Sequence, residues 1–165
     1  YLGQLGTTRA ADTGLAYISL LRKAGVDFTI MKEEPDSGAF LSEFIGFTGE
    51  VQALAKNTAA AISATGAETL IALDPHDACI FMDHYVEWSL MPDVNVTTAT
   101  AFMASLIADK KLVPIKADKK VSYHDPCRLA RGVDETEPAR EILSAMGYEL
   151  EELFLNRKMR YSQHR

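Results

Sequence analysis

An apolar run between two helix-like segments is the feature that most restricts the fold of this chain. Thr69–Leu73 is apolar at nearly every position, and helical periodicity lies on both sides of it in the sequence. A strand without polar alternation is typical of a parallel sheet that is covered on both faces. This run therefore predicts a buried central strand with helical crossovers.

The other periodic segments alternate in type along the chain. Their patterns predict helices over 11–24, 50–64, 76–89, 99–109 and 137–146, and strands over 1–3, 26–31, 121–123 and 148–154. Residues 95–97 are predicted to form a weak strand or a turn. Strands that alternate with helices of this length predict an α/β fold: a mainly parallel sheet flanked by helices.

An internal repeat predicts two Rossmann-like half-domains. Gly25 and Gly147 each stand between an amphipathic helix and a strand, at an offset of 147 − 25 = 122 residues. We expect a first half-domain over 1–110, a basic linker over 111–120, and the start of a second half-domain over 121–165. The second copy is incomplete, so its missing sheet partners are expected in residues beyond this sequence or in another chain.

Composition excludes several classes of protein. The 165 residues are 47% hydrophobic and carry a net charge of −6 without a basic stripe, so we expect no nucleic-acid partner. The longest apolar stretch, 99–108, is too short to span a bilayer. Two distant cysteines give no disulfide framework, which favours a reducing, cytoplasmic location. The first residue is not Met, so we expect a fragment of a longer protein.

The segment around Cys127 is the strongest candidate for chemistry. Asp125 and Pro126 end a predicted strand, so that Cys127 lies on a turn with two arginines close behind it. Turn N–H groups and cations favour the thiolate, which is both nucleophile and metal ligand. Cys127 is therefore a candidate catalytic thiol with His124 as its base. The alternative is a small residue buried in a tight turn.

A second polar block follows the central strand, at Asp74, Pro75, His76 and Asp77. This block has the form of a helix start, with Asp74 as N-cap and the proline in the first turn. The alternative is a hard-metal or zinc site formed by Asp74, His76 and Asp77 at the carboxyl end of the sheet. The capping interpretation is favoured.

Residues 123–129, Tyr-His-Asp-Pro-Cys-Arg-Leu, followed by Pro-Ala-Arg-Glu-Ile-Leu at 138–143, resemble a known family. They are similar to the second half of the cysteine-rich CCG domain. This domain occurs twice in one subunit of heterodisulfide reductase and in the iron–sulfur subunits of glycolate, lactate and anaerobic glycerol-3-phosphate oxidoreductases. The resemblance implies an oxidoreductase that works in an electron-transfer complex, with other subunits or further copies of itself as partners.

The resemblance also implies cluster-ligand positions, and most of them lack cysteine here. They fall on Gln4, on Asp36-Ser37-Gly38 and on Asp74 and Asp77 in the first half. In the second half they fall on Cys127 and on 162–164, which reads Ser-Gln-His. Iron–sulfur clusters need thiolates, so the first half is expected to carry no cluster, while zinc stays open.

Two functions remain open from the sequence. The first is an iron–sulfur oxidoreductase subunit of the heterodisulfide-reductase kind that has lost its first cluster site. The second is a non-redox module derived from that fold, which serves in assembly or in binding a small molecule or a metal.

Overall fold

The computed structural model describes residues 1–44, 48–154 and 157, and these form two compact units, Tyr1–Ala99 and Thr100–Arg165. The half-domain boundaries at 110 and 120 stay a prediction, as does the internal repeat. No helix in the described ranges has the length and apolar character needed to cross a membrane.

The first unit contains six helices and two strands in its described part. The elements are α1 (Gly3–Thr7), α2 (Ala11–Lys23), α3 (Ala39–Phe44), α4 (Thr48–Ala64), β1 (Thr69–Ala72), α5 (Pro75–Met82), α6 (His84–Glu87) and β2 (Asn95–Thr98). Strands β1 and β2 pair in parallel, from Thr69 opposite Asn95 to Ala72 opposite Thr98. Helices between parallel strands confirm the predicted α/β fold.

The second unit also contains a parallel pair of strands in its described part, and these strands are shorter. Its elements are α7 (Ala99–Ala108, which begins on the last residue of the first unit), β3 (Lys120–Val121), a π-helix (Arg128–Gly132), α8 (Glu137–Ala145) and β4 (Glu149–Leu150). Strands β3 and β4 are parallel, with Lys120 opposite Glu149. The predicted strand over 148–154 is thus limited to two residues.

Several boundaries in the first unit differ from the prediction. The segment 26–31 forms no strand, because no described segment pairs with it, and alternation alone does not make a ladder. The predicted helix over 76–89 is broken at Asp83, whose backbone leaves the helical region. Strand β1 buries Leu70 and Ala72 but leaves Thr69 exposed, so it is not covered on both faces.

The start of the chain was also predicted differently. Tyr1 does lie beside the central strand, since its nitrogen donates to the Ile71 carbonyl at 2.9 Å and its carbonyl accepts from Leu73 N–H at 3.0 Å. Helix α1 then begins at Gly3, the last residue of the predicted strand over 1–3. Gln4 is therefore a helical residue.

An aromatic column forms the centre of the first unit. The rings of Phe81 and Tyr85 meet edge to face at 5.0 Å, and Tyr1 meets Phe81 in the same way at 5.1 Å. Phe81 and Tyr85 are fully buried. Helix α4 covers this core with one face, on which Val51, Ala55, Thr58 and Ile62 are buried.

Replacing Phe81→Ala should lower the free energy of unfolding by about 3–5 kcal/mol, because it empties a fully enclosed aromatic site. Urea denaturation followed by circular dichroism measures this change. Val86→Ala, on the next helix at 58% exposure, is the matched control and should stay within about 0.5 kcal/mol of the parent. Equal losses for the two variants would contradict this assignment of the core.

Candidate functional site

Three segments of the first unit meet beyond the carboxyl end of β1. They are the start of α1, the segment 34–38, and the start of α5. This is the edge of a parallel sheet at which ligand sites usually form. It also contains every first-half position that the family resemblance implied.

Glu34 ties the segment 34–38 to the beginning of α1. Its carboxylate accepts hydrogen bonds from the N–H groups of Leu2 at 2.8 Å and Gly3 at 2.7 Å. These N–H groups are among the unpaired donors that every helix start presents. Sequence reasoning missed Glu34, since the acceptor lies about thirty residues away from the helix that it caps.

Asp36 forms the second link between the same segments. Its Oδ2 accepts a hydrogen bond from the side-chain amide of Gln4, and its Oδ1 accepts from Gly38 N–H at 2.8 Å. Thr58, on α4, donates to the Asp36 carbonyl at 2.8 Å. Two of the implied ligand positions, Gln4 and Asp36, are therefore in direct contact.

Ser37 connects this segment to α5. Its hydroxyl donates to Asp77 Oδ1 and accepts from Ala39 N–H at 3.1 Å, and its carbonyl accepts from the Tyr85 hydroxyl at 2.9 Å. Ser37 and Asp77 are both buried. Ser37 and Asp77, a second pair of the implied ligand positions, are therefore also in direct contact.

Asp77 is the most perturbed carboxyl group in this site. It is 3% exposed, and burial raises its pKa to about 7, assisted by the negative charges of Asp74, Glu34 and Asp36 and opposed by the Ser37 hydrogen bond. Its Oδ2 has no hydrogen-bond partner within the described residues. The site therefore favours the neutral carboxyl form up to about neutral pH.

Asp74 is the N-cap of α5, which confirms the capping interpretation. Its Oδ1 accepts hydrogen bonds at 2.9 Å from both the N–H and the ring Nδ1 of His76. Burial alone raises the pKa of Asp74, but the hydrogen bonds and charge of His76 outweigh this effect and lower it. The His76 ring lies against Phe40, at 5.0 Å between ring centres.

These contacts do not form a metal centre. Within the described ranges, no three or more His, Cys, Asp or Glu side chains are arranged to hold a metal ion. Asp74 and His76 pair with each other, whereas Asp77 pairs with Ser37. None of these positions supplies a thiolate, so the residues present do not fit an iron–sulfur cluster.

In the second unit, Cys127 comes directly before the π-helix that the sequence did not predict. It is half-buried, while His124 is exposed. The structure shows no hydrogen bond between these two side chains, so the contacts give no support to His124 as a base for Cys127. The implied positions 162–164 lie outside the described residues. Cys79 lies on α5 and is half-buried.

Arg140 holds the Cys127 segment from the neighbouring helix. Its guanidinium donates two hydrogen bonds to Asp125, at 2.7 and 2.8 Å, and two to Glu152, at 2.6 and 2.9 Å. It also lies over the Tyr123 ring, 5.5 Å from its centre. Burial alone raises the pKa of Asp125, but the hydrogen bonds from Arg140 and from Arg157 N–H outweigh it. We call these contacts of Arg140 with Asp125 and Glu152 the Arg140 clamp. Sequence reasoning missed it, because an arginine on an amphipathic helix is usually solvated.

Comparison with known proteins gives relatives of one general kind. The chain is 34% identical over 146 residues to a probable membrane-anchored ferredoxin of Chromohalobacter salexigens, covering 84% of this chain and 21% of the relative. It is 25% identical over 162 residues to the probable iron-sulfur-binding oxidoreductase FadF of Bacillus subtilis, covering 96% and 23%. It is 32% identical over 135 residues to a subunit of the dihydromethanophenazine:CoB–CoM heterodisulfide reductase of Methanosarcina acetivorans, covering 76% and 32%.

The chain therefore spans between about a fifth and a third of the length of these relatives. No family model matches it. No solved structure matches it either. These relatives are described as iron–sulfur or oxidoreductase-type proteins, which is the general kind of protein that residues 123–129 indicated.

The raised pKa of Asp77 predicts a pH-dependent stability. The folded carboxyl binds its proton up to about pH 7, whereas the free carboxyl has a pKa of 3.8. The stabilisation that comes from the protonated Asp77 carboxyl group is complete below about pH 4, and it is lost as the pH rises through about 7. Asp77→Asn should therefore gain a few kcal/mol relative to the parent between about pH 4 and pH 8.

Urea denaturation of both proteins across this pH range measures the difference. Asp93→Asn, at an exposed aspartate before β2, is the control for the loss of one carboxyl group. A difference between Asp77→Asn and the parent that does not vary with pH would show that Asp77 is ionised throughout this range.

Arg140→Met should lower the free energy of unfolding by about 3–5 kcal/mol, since it leaves the buried Asp125 carboxylate without its counter-ion. Lys120→Met is the control: it breaks the Lys120–Glu149 pair, in which both side chains are about 70% exposed, and should cost less than about 1 kcal/mol. Denaturant titrations of the two variants give both numbers. Similar small losses would mean that the Arg140 clamp is not formed in solution.

Proposed function

We propose that this chain is part of a subunit of an iron–sulfur oxidoreductase or electron-transfer complex of the heterodisulfide-reductase-like kind. Three relatives described as a ferredoxin, an iron-sulfur-binding oxidoreductase and a heterodisulfide reductase subunit support this proposal. The α/β fold and the Tyr-His-Asp-Pro-Cys segment of the CCG family support it from the chain itself.

The first CCG-like half, in this proposal, has lost its cluster. The observation that carries this point is the set of contacts between the substituted ligand positions. Gln4 bonds to Asp36, and Ser37 bonds to Asp77, so four of the substituted positions bond to one another in two pairs. Soft iron–sulfide cores are held by thiolates, and carboxylates and amides are poor substitutes.

Cys127 is, in the same proposal, the remaining ligand or reactive thiol, and it belongs to the second CCG-like half. Its other ligands would come from further residues of the parent protein or from a partner chain. The partners are other subunits of a redox complex or a second copy of this chain, and the location is cytoplasmic. The bidentate pair between Arg140 and Asp125 gives Cys127 a fixed backbone two residues away.

A second candidate is a non-redox assembly module that retains the fold alone. The missing first-half thiolates favour it, because a domain without cluster ligands still presents its helices and sheet edge to partners. The version of this candidate that binds zinc through Asp74, His76 and Asp77 gains no support, since Asp74 and His76 are engaged with each other.

Metal analysis of protein purified without oxygen tests the proposal. Iron and acid-labile sulfide should amount to well under one cluster per chain, because the first half offers no thiolates. Whatever iron and sulfide the chain retains should be lost in Cys127→Ser. The same amounts should persist in Cys79→Ser, the matched control on α5.

Stoichiometric iron and sulfide that survive Cys127→Ser would place a cluster in the first half and overturn the proposal. Zinc that is insensitive to Cys127→Ser would favour the metal-binding alternative. Complete absence of metal in every variant would favour the assembly module.

A further inference from the structure

The start of α1 and the start of α5 touch through a glycine and a buried carboxyl group. Gly3 has φ +73°, and a Cβ atom added there would collide with Asp77 Oδ2. The same atom would lie 3.4 Å from Asp74 Cβ. The bare Cα of Gly3 therefore provides the space in which the Asp77 carboxyl group sits.

The opposite side of the Asp77 carboxyl group is closed by Ser37. The Ser37 hydroxyl donates to Asp77 Oδ1, and Ser37 is itself 2% exposed. Tyr85 and Ala39 hold Ser37 in turn through its carbonyl and its hydroxyl oxygen. The carboxyl group is thus enclosed between Gly3 and Ser37, two residues from two different segments.

Few oxygen atoms in this site are free to bind a cation. Glu34 and Asp36 each use both carboxylate oxygens as acceptors, for Leu2, Gly3, Gln4 and Gly38. Asp74 uses Oδ1 to cap α5. Among the described residues of this site, the buried side-chain oxygens without a hydrogen-bond partner are Asp74 Oδ2 and Asp77 Oδ2, and the second lies against Gly3. A metal ion would have to displace helix caps in order to gain carboxylate ligands beyond these two oxygens.

We propose that the Asp77 side chain fills the former ligand site, and that its contacts with Gly3 and Ser37 hold the three segments together in place of a bound metal. The site is therefore closed to both iron–sulfur clusters and zinc. Describing it as a former ligand site rests on the proposed function, whereas the contacts between Gly3, Ser37 and Asp77 do not.

A double-mutant cycle tests whether Gly3 and Asp77 are fitted to each other. Gly3→Ala adds a methyl group at a positive φ and in the space of Asp77 Oδ2. In an Asp77→Ala background the collision disappears and the backbone strain remains. Gly3→Ala should therefore lower the folding equilibrium constant about tenfold more in the parent than in Asp77→Ala.

Gly25→Ala is the matched control for backbone strain. Gly25 has φ +68°, and a Cβ atom added there meets nothing within 4 Å. Its effect should be the same in the parent and in Asp77→Ala. If Asp77→Ala does not fold, the cycle is run with Asp77→Ser, which also removes the colliding oxygen. Equal effects of Gly3→Ala in both backgrounds would overturn the proposal.

Metal titration gives the second readout. The melting temperature of the parent should be unchanged by EDTA and by added zinc chloride, whereas a rise with zinc that Asp77→Ala removes would overturn the proposal. Iron or sulfide whose binding depends on Cys127 would not contradict the proposal, because Cys127 lies in the second unit. Conversely, loss of the Gly3–Asp77 coupling would leave the proposed redox function standing.

Discussion

The burial of Asp77 is the constraint around which the first unit is built. A carboxyl group that is 3% exposed is strongly disfavoured in its charged form unless donors surround it. Here a single hydroxyl group, from Ser37, faces one oxygen, and three further acidic groups lie near enough to raise the pKa. Protonation removes the remaining cost of burying the negative charge, so the packing favours the neutral acid.

The second unit also buries a carboxyl group, but there a counter-ion stabilises the charged form. Asp125 is as deeply buried as Asp77, but it faces the guanidinium of Arg140 through two parallel hydrogen bonds and stays charged. The arginine is itself enclosed by Glu152 and by the Tyr123 ring. The first unit therefore buries a protonated carboxyl group, whereas the second unit buries an ion pair. They should respond differently to pH, since the pKa of Asp77 is raised and that of Asp125 is lowered.

Much of this fold follows from local patterns, while the site follows from contacts that local patterns do not contain. Helices α2, α4, α7 and α8, strand β1 and the Asp74 cap were predictable, because periodicity and capping act within a few residues. The positive φ of Gly25 and Gly147 was consistent with glycine at a helix end. Glu34 and Arg140 were not predictable, because their partners lie 12 to 32 residues away in the sequence.

Sequence patterns also gave wrong predictions where the structure of a segment depends on the partner against which it packs. The segment 26–31 alternates as a strand should, yet no described strand lies beside it. Similarly, Cys127 was expected on a turn before α8, but the residues after it wind into a π-helix in which Val133 N–H bonds to the Arg128 carbonyl. A single wide turn of this kind depends on tertiary packing and has little signature in sequence.

The acidic character of the site beyond β1 has a physical explanation. The start of α1, the turn at Gly38 and the start of α5 all direct backbone N–H groups into this site. Apolar residues around it would leave these donors buried without acceptors, at about 1–3 kcal/mol each. Carboxylates at Glu34, Asp36 and Asp74 accept them, but three such groups repel a fourth charge. Asp77 is therefore compatible with the site because it can remain protonated, and the requirement for a small residue at position 3 follows from where its second oxygen must lie.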